Sequence, residues 1–301
     1  MEAIVFDRFG GPEVLRVAEV DVPQPGPGQI RLRVVSAGVN PVDYKIRNGW
    51  LAQVFTTTFP ATPGWEAAGV VDEVGAGVTG LAAGDEVFGF TDTGSYAGFA
   101  LATVVARKPA GLSWDRAAAL PVAGETAQRI LDLLAVEDGE TVLLHGAAGG
   151  VGGVAVQLAV ARGATVIGTA SPANHDYLRS LGAIPVAYGD GLADRVRAAA
   201  PQGVDAVFDA AGQGALEASV QVRGGTDRII TIADAVGAQR WGIPFSAGGE
   251  RGAEALAALA DLAVTGGLRI EVAGTFALAD AGRAQDRSAT GHVRGKLILH
   301  P

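Results

Sequence analysis

A glycine-rich segment in the middle of the chain joins two apolar stretches. It reads His145-Gly146-Ala147-Ala148-Gly149-Gly150-Val151-Gly152. Gly149 and Gly152 take the second and third glycine positions of the pattern G-x-G-x-x-G, and Ala147 takes the first. Such a loop keeps side chains away from Gly149, where a pyrophosphate approaches, and aims a helix N-terminus at its charge. The segment therefore predicts a dinucleotide-binding loop with contacts from Ala148 to Gly152.

The residues about 20 positions further on select the dinucleotide, because they follow the next strand. They read Gly168-Thr169-Ala170-Ser171-Pro172, and no acidic residue occurs before Asp176. An NAD site places a carboxylate here to bind the ribose hydroxyls, whereas its absence leaves room for a 2′-phosphate. We therefore expect NADPH, with the Ser171 hydroxyl as a donor and His175 nearby. The alternative for His175 is a solvent-facing helix residue.

A polar cluster follows Asn40 and contains Asp43, Tyr44 and Lys45. Asn40 and Lys45 are candidates to hydrogen-bond a substrate oxygen that gains negative charge, and Tyr44 is a candidate proton donor. In the alternative interpretation, Asp43 caps a helix while Lys45 and Arg47 face solvent. The sequence offers no candidate for a Ser–His–Asp triad or a pair of catalytic carboxylates.

Composition narrows the class of protein. The 301 residues are 49% hydrophobic and 18% charged, with a formal net charge of −9, which disfavours nucleic acid as a partner. Because there is no cysteine, disulfides, thiolate catalysis and cysteine-based zinc sites are excluded. The four histidines are scattered without ligand spacing, so we expect no bound metal. No basic-then-apolar start and no apolar span of about 20 residues is present, which predicts a cytoplasmic protein with no membrane partner.

The pattern of apolar residues, Gly and Pro changes along the chain, and this pattern predicts the elements that position these residues. The first part consists of short apolar runs broken by Gly and Pro, typical of a β-rich, barrel-like lobe. From Thr141 onward strands alternate with helices, which predicts a parallel sheet covered on both faces. We therefore expect an α/β protein in which a doubly wound domain, residues 116–265, is inserted into a β-rich domain, residues 1–115 and 266–301. The predicted strands are 3–6, 29–36, 67–74, 86–90, 97–106, 141–145, 164–169, 184–187, 204–209, 228–232, 269–272 and 296–300, with helices over 151–161, 174–181, 192–199 and 253–264.

Several segments, taken together, resemble the medium-chain dehydrogenase/reductase superfamily, in its zinc-free quinone oxidoreductase (zeta-crystallin-like) group. They occur in the order typical of that family and extend over essentially the whole chain. The segments are Ala37-Gly38-Val39-Asn40-Pro41-Val42-Asp43, Pro63-Gly64-Trp65-Glu66-Ala67-Ala68-Gly69-Val70-Val71, Gly84-Asp85-Glu86-Val87, residues 146–159, Val207-Phe208-Asp209 and Gly291-His292-Val293-Arg294-Gly295-Lys296.

The resemblance implies a Rossmann-type domain and a GroES-like, partly open barrel, with NADPH bound in the cleft between them. It also implies a homodimer that passes hydride to a small-molecule quinone or enone. Residues 149–152 would take the pyrophosphate, Ser171 and Tyr188 the adenosine phosphate, and Thr126 and Asn40 the nicotinamide side. The further cofactor residues implied by the resemblance are Asp209, Ala210, Ile232 and Ala233 at strand ends, and Lys296.

The chain differs from the zinc-dependent relatives at two metal-ligand positions, and these differences limit the kinds of acceptor that we expect. Those relatives have a cysteine or histidine near position 40 and a histidine at position 65, where this chain has Asn40 and Trp65. With no metal to polarise a carbonyl, we expect an acceptor that is already electrophilic, such as a quinone. The alternatives are an NADPH-dependent enoyl or alkenal reductase, and a non-catalytic NADPH-binding protein.

Overall fold

The structure is a computed structural model that describes all residues from Met1 to Pro301. The chain forms two compact units, one of residues Met1–Val122 with Arg251–Pro301 and the other of residues Ala123–Glu250. The domain boundaries expected from the sequence, at 115/116 and 265/266, differ from these unit borders and stay a prediction. No helix in the chain combines the length and apolar character needed to cross a bilayer.

The N-terminal part of the first unit consists of short strands and two helices, α1 (Pro41–Arg47) and α2 (Trp114–Ala119). The Ser113 hydroxyl accepts the Arg116 N–H at 3.4 Å and caps the start of α2. The predicted strand over 97–106 is divided in two. The strand Arg16–Glu19, β2, was not predicted from the sequence, because most of its residues are exposed. The strands are β1 (Glu2–Val5), β2 (Arg16–Glu19), β3 (Ile30–Val39), β4 (Glu66–Val74), β5 (Glu86–Phe90), β6 (Phe99–Ala102) and β7 (Val105–Arg107).

The second unit is a five-stranded parallel sheet with helices between the strands. Its three central strands are largely buried, mostly apolar runs, as expected for a sheet covered on both faces. The predicted doubly wound architecture is confirmed. In chain order the elements are α3 (Pro121–Leu133), β8 (Thr141–His145), α4 (Gly150–Ala161), β9 (Thr165–Ala170), α5 (His175–Ser180), β10 (Ile184–Ala187), α6 (Leu192–Ala199), β11 (Ala206–Asp209), α7 (Ala215–Arg223), β12 (Ile229–Thr231) and α8 (Ala235–Trp241).

The strand order of this sheet determines where a ligand can bind. The strands lie in the order β10-β9-β8-β11-β12, so the order reverses at β8. Ligands of open α/β sheets bind beyond the carboxyl ends of the strands at this reversal point. The glycine-rich loop follows β8 directly, and it therefore lies at the expected binding edge.

The returning segment completes the sheet of the first unit with α9 (Ala253–Thr265), β13 (Val272–Ala277), α10 (Ala281–Ala289) and β14 (Lys296–His300). The seven-stranded sheet has the order β13-β14-β3-β4-β5-β7, and β6 also pairs with β3. The strand predicted over 269–272 is wrong, because β13 begins only at Val272. Its Ala, Gly and Thr residues give a weaker apolar signal than the preceding Leu268 and Ile270.

Candidate active site

The glycine-rich loop forms a turn with no side chain at the start of α4. Gly146 has a positive φ of 71°, and the Gly149 N–H donates to the Gly146 carbonyl at 3.0 Å. A Cβ at Gly152 would overlap the Gly146 carbonyl, so this position requires glycine. The helix begins at Gly150 without a side-chain cap, and its first N–H groups have no intrahelical acceptor. A Cβ at Gly149 would contact only one protein atom, at 3.3 Å. The loop therefore fits a pyrophosphate at the helix N-terminus.

The ends of β9 and β10 lie side by side at the same edge. Ala170 and Ala187 are register partners in the parallel pair, so Ser171 and Tyr188 follow at equivalent positions. Tyr188 is half-exposed. Asp176, the first acidic residue after β9, has an almost fully exposed side chain in an ion pair with Arg179. The edge where a ribose would bind therefore has two hydroxyl groups and no carboxylate.

His175 starts α5 and is partly buried. Its Nε2 atom is buried and has no hydrogen-bond partner within the protein. The interpretation of His175 as a fully solvent-facing residue is therefore wrong, since its ring is turned in part towards the protein. Its role as a donor to a 2′-phosphate stays a prediction.

The loops after β11 and β12 are held by one buried carboxylate. Asp209 Oδ1 accepts the N–H groups of Ala211 and Gly212 at 3.0 and 2.9 Å, and Oδ2 accepts the Thr231 hydroxyl at 2.7 Å. Thr231 Oγ1 in turn accepts the Ala233 N–H at 3.1 Å. The Asp209 carboxylate accepts three hydrogen bonds within the protein, and the contact of Asp209 with a cofactor that the resemblance implies stays a prediction. The carboxylate shapes the loops that present Ala210, Ile232 and Ala233.

A buried histidine at the end of β8 supports the glycine-rich loop, a role that the sequence analysis missed. His145 Nε2 lies 2.9 Å from the Ser219 hydroxyl, which itself donates to the Ala215 carbonyl, so Nε2 carries the proton. His145 Nδ1 lies 3.3 Å from the Thr169 hydroxyl. Burial lowers the pKa of His145, while the nearby Asp209 raises it, and the ring is therefore neutral. A polar residue ending an otherwise apolar strand was the available signal.

Three polar side chains from distant parts of the chain meet inside the first unit. Lys296 Nζ lies 2.5 Å from both Glu66 Oε1 and Asn40 Oδ1, and Asn40 Nδ2 donates to Glu66 Oε1 at 2.8 Å. Glu66 Oε2 accepts the Val122 N–H at 2.7 Å. All three side chains are buried. Gly38 leaves the necessary space, since a Cβ there would overlap the Glu66 carboxylate.

This triad fixes the orientation of the Asn40 amide. An ammonium group only donates, so Oδ1 must face Lys296, and Nδ2 then faces the Glu66 carboxylate. One Nδ2–H remains for another acceptor. The Lys296 ammonium is buried and donates to Glu66 and Asn40, and its contact with a cofactor stays a prediction. No local pattern around Glu66 indicates this role, because its partners Asn40 and Lys296 lie 26 and 230 residues away.

The buried carboxylate of Asp43 is connected to the triad through the backbone N–H of Asn40. Asp43 Oδ2 accepts the Asn40 N–H at 2.8 Å and the Tyr96 hydroxyl at 2.7 Å, whereas Oδ1 has no partner. Burial raises the pKa of Asp43 to about 7. The predicted capping role of Asp43 on α1 is confirmed by the bond to the N-cap residue.

The other polar residues of the cluster lie in different environments. Tyr44 is half-buried and packs edge-on against Trp50, and burial raises its pKa. Lys45 is also partly buried. Arg47 does not face solvent as the capping interpretation expected. It is buried and donates to Gln285 at 2.8 Å. In the second unit, Thr126 is buried and donates to Glu125 at 3.2 Å.

The positions that correspond to zinc ligands carry side chains of other chemistry. Asn40 is occupied in the triad, and the Trp65 ring packs edge-on against Phe55 with centroids 5.5 Å apart. Nowhere in the chain do three or more His, Cys, Asp or Glu side chains converge in a way that could hold a metal ion.

Comparison with known proteins agrees with this fold. Residues 26–110 match the alcohol dehydrogenase GroES-like domain, and residues 181–299 match the zinc-binding dehydrogenase family. The 2-methylene-furan-3-one reductase of Solanum lycopersicum is 32% identical over 100% of this chain and 79% of that protein. The quinone oxidoreductase of Rattus norvegicus is 43% identical over 175 residues, or 56% of this chain and 53% of that protein.

Among solved structures, the quinone oxidoreductase of Escherichia coli complexed with NADPH superimposes with a TM-score of 0.89. It is 27% identical, and the match covers 100% of both chains. The fold and the glycine-rich loop thus define a member of the oxidoreductases with Rossmann-type and GroES-like domains. The chain belongs to the medium-chain dehydrogenase/reductase superfamily, in its quinone oxidoreductase (zeta-crystallin-like) group, which confirms the resemblance found in the sequence.

Proposed function

We propose that this protein is an NADPH-dependent reductase that passes hydride to quinones without a metal ion. The observation that carries the proposal is the carboxyl edge of the five-stranded sheet. There a helix N-terminus that starts with Gly149 and Gly150 follows β8, and hydroxyl groups rather than a carboxylate follow β9 and β10. The complex of the Escherichia coli relative with NADPH supports the same choice of cofactor.

The residues of the second unit bind and orient the cofactor in this proposal. The first N–H groups of α4 hold the pyrophosphate, while Ser171 and Tyr188 donate to the 2′-phosphate. Asp209 and Thr231 keep the neighbouring loops in the shape that the cofactor needs. When bound, NADPH supplies a hydride, and the acceptor takes up this hydride and a proton while NADP⁺ is released.

Asn40 is the residue that we propose to act on the acceptor. Its remaining Nδ2–H donates to the acceptor oxygen, which gains negative charge as hydride arrives, and Thr126 lies on the nicotinamide side. Removing one such donor typically costs about 10²–10³-fold in rate. The proton comes from water or from Tyr44, and Lys45 is a second candidate to hydrogen-bond the acceptor oxygen.

A homodimer is part of the same proposal and is checked by light scattering.

The second candidate is reduction of an activated C=C bond, as in an enoyl or alkenal reductase. It is favoured by the tomato relative, whose name is that of an enone reductase and whose match extends over the whole of this chain. A quinone is itself a doubly conjugated enone, so the same arrangement of donors serves both acceptors.

The test is a panel of acceptors followed by the loss of NADPH absorbance. It contains a benzoquinone, a naphthoquinone, an alkenal, and a simple alcohol assayed with NADP⁺. We expect the quinones to be reduced fastest. Faster reduction of the alkenal would favour the second candidate, and a clear preference for the alcohol would contradict both. Tight NADPH binding with no turnover on any acceptor would favour the non-catalytic alternative.

A further inference from the structure

An arginine lies against two aromatic rings in the first unit. The Arg251 guanidinium carbon is 4.5 Å from the Phe90 ring centroid and 5.8 Å from that of Trp65. Trp65 also packs against Phe55. We call Trp65, Phe90 and Arg251 the arginine patch. Phe90 is buried and Trp65 is partly buried, whereas Arg251 is exposed.

The charge of Arg251 is not matched by any acidic side chain. Its guanidinium forms no salt bridge and no hydrogen bond, and the two ring faces are its only partners. Stacking on rings holds the plane of a guanidinium while its N–H groups stay available for a carboxylate or sulfonate. Glu250 and Glu254 lie near Arg251 in the chain but form no ion pair with it, so in a chain with a net charge of −9 this guanidinium is a group that can attract an anion.

The patch adjoins the triad that holds Asn40. Phe90 on β5 is the direct cross-strand partner of Glu66 on β4. Side chains directly opposite each other in an antiparallel pair leave the same face of the sheet and are about 5 Å apart at Cβ. Arg251 thus lies over Phe90, and Phe90 is the cross-strand neighbour of Glu66, whose carboxylate orients Asn40. Trp65, the other ring of the patch, directly precedes Glu66 in the chain.

We propose that the arginine patch binds an anionic substituent of the acceptor, so that this enzyme prefers quinones or enones that carry a carboxylate or sulfonate. The proposal rests on the proposed function, since Asn40 is the residue assigned to the acceptor oxygen. Trp65, which is partly exposed, contacts the conjugated system, and Arg251, held over the Phe90 ring, pairs with the anionic group at its edge. Arg251 is then a specificity-determining residue that takes no part in hydride transfer.

The experiment compares a naphthoquinone with its sulfonated counterpart, with NADPH, in the wild type, Arg251→Gln and Arg251→Lys. The quantity measured is the ratio of kcat/KM for the sulfonated acceptor to that for the neutral one. Because hydrogen bonds to charged groups are stronger than neutral ones, we expect Arg251→Gln to lower this ratio about tenfold. Arg251→Lys should lower it less, because the charge is kept while the planar fork is lost.

The matched control is Arg240→Gln. Arg240 is also exposed and stacked on a ring, 5.7 Å from the centroid of Trp241, but it belongs to the second unit. This variant should leave the ratio unchanged. Calorimetric titration of each variant with the sulfonated naphthoquinone alone measures binding independently of turnover, and Arg251→Gln should weaken it. Raising the salt concentration should reduce the preference of the wild type and not that of Arg251→Gln.

Two outcomes overturn the inference. One is an unchanged ratio and unchanged binding of the sulfonated acceptor in Arg251→Gln. The other is a loss of NADPH affinity in that variant with the ratio unchanged, which would assign Arg251 to the cofactor. Failure of the proposed function looks different, because no acceptor is then reduced by the wild type while the binding measurement still reports on Arg251.

Discussion

Glu66 and Lys296 form an ion pair in the interior of the first unit, with Nζ and Oε1 2.5 Å apart and side chains 0% and 6% exposed. The pair joins β4 to β14, which are 230 residues apart in the chain. Because Asn40 bonds to both partners, the same pair fixes the amide that we assign to the acceptor.

Removal of one partner should be far more harmful than removal of both. Lys296→Met leaves the Glu66 carboxylate buried and uncompensated, which typically costs about 3–5 kcal/mol. We expect a large fall in Tm for Lys296→Met, and a smaller one for Lys296→Met combined with Glu66→Gln. Arg283→Met, which breaks an exposed ion pair with Asp280, is the control and should change stability by less than about 1 kcal/mol. Equal Tm values for the single and double variants would contradict this account.

Asp43 should make stability depend on pH. Burial raises the pKa of Asp43 from 3.8 to about 7, so between these values the native state binds more protons than the unfolded state. Its contribution is therefore fully present below about pH 4 and is lost as the pH rises through about 7, up to about 4 kcal/mol in total. Asp43→Asn stays neutral, so the fall in Tm from pH 5 to pH 8 should become shallower. The exposed Asp261→Asn should retain the slope of the wild type, and an unchanged slope in Asp43→Asn would rule out this role.

Cofactor choice should depend on the residue after β9. Fluorescence titration of the wild type should show tighter binding of NADPH than of NADH. Ser171→Asp places a carboxylate against the 2′-phosphate, and like charges at this distance disfavour binding. We expect NADPH affinity to fall at least about tenfold and the preference to reverse. Ser180→Asp adds the same charge at the other end of α5 and should leave the preference intact. Equal binding of NADH and NADPH by the wild type would contradict the assignment of the phosphate site.

A branched side chain at Gly149 should abolish cofactor binding. It would fill the space beside the helix N-terminus that the pyrophosphate needs. We expect Gly149→Val to lose measurable NADPH binding while circular dichroism and Tm stay near those of the wild type. Gly225→Val is the control, because Gly225 precedes β12 at the opposite edge of the sheet and its Cβ would meet only the mobile end of Asp227. Normal NADPH binding by Gly149→Val would show that the loop is structural only.

Activity should not depend on a metal ion. The chain has no cysteine, and Asn40 and Trp65 replace the expected zinc ligands. Prolonged treatment with a chelator should leave the quinone reductase rate unchanged, and elemental analysis should find no stoichiometric zinc. A zinc-dependent dehydrogenase of the same superfamily, treated in parallel, should lose activity. A rate in this protein that falls with chelation and recovers with added zinc would refute the metal-free mechanism.

Local patterns in the sequence were sufficient for the cofactor edge of the second unit. Each of the patterns used involves only neighbouring residues. The apolar strands predicted the parallel sheet, the glycine spacing predicted the loop at Gly149, and the absence of a carboxylate after β9 predicted the place of Ser171. The strands over 86–90, 184–187 and 296–300 were predicted with the same bounds as in the structure. These short strands could be delimited because each contains consecutive apolar residues.

The tertiary structure alone decided which polar groups are available to a ligand. The sequence singled out Lys296 and Asp209 but not their partners: in the structure Lys296 pairs with Glu66, and Asp209 accepts hydrogen bonds from Thr231 and two N–H groups. Likewise Arg47, expected in solvent, is buried against Gln285. A buried charged group must find its partners within the protein because water is absent. The side-chain partners Thr231, Glu66 and Gln285 lie 22 to 238 residues away from the groups they bond, and no local spacing encodes them.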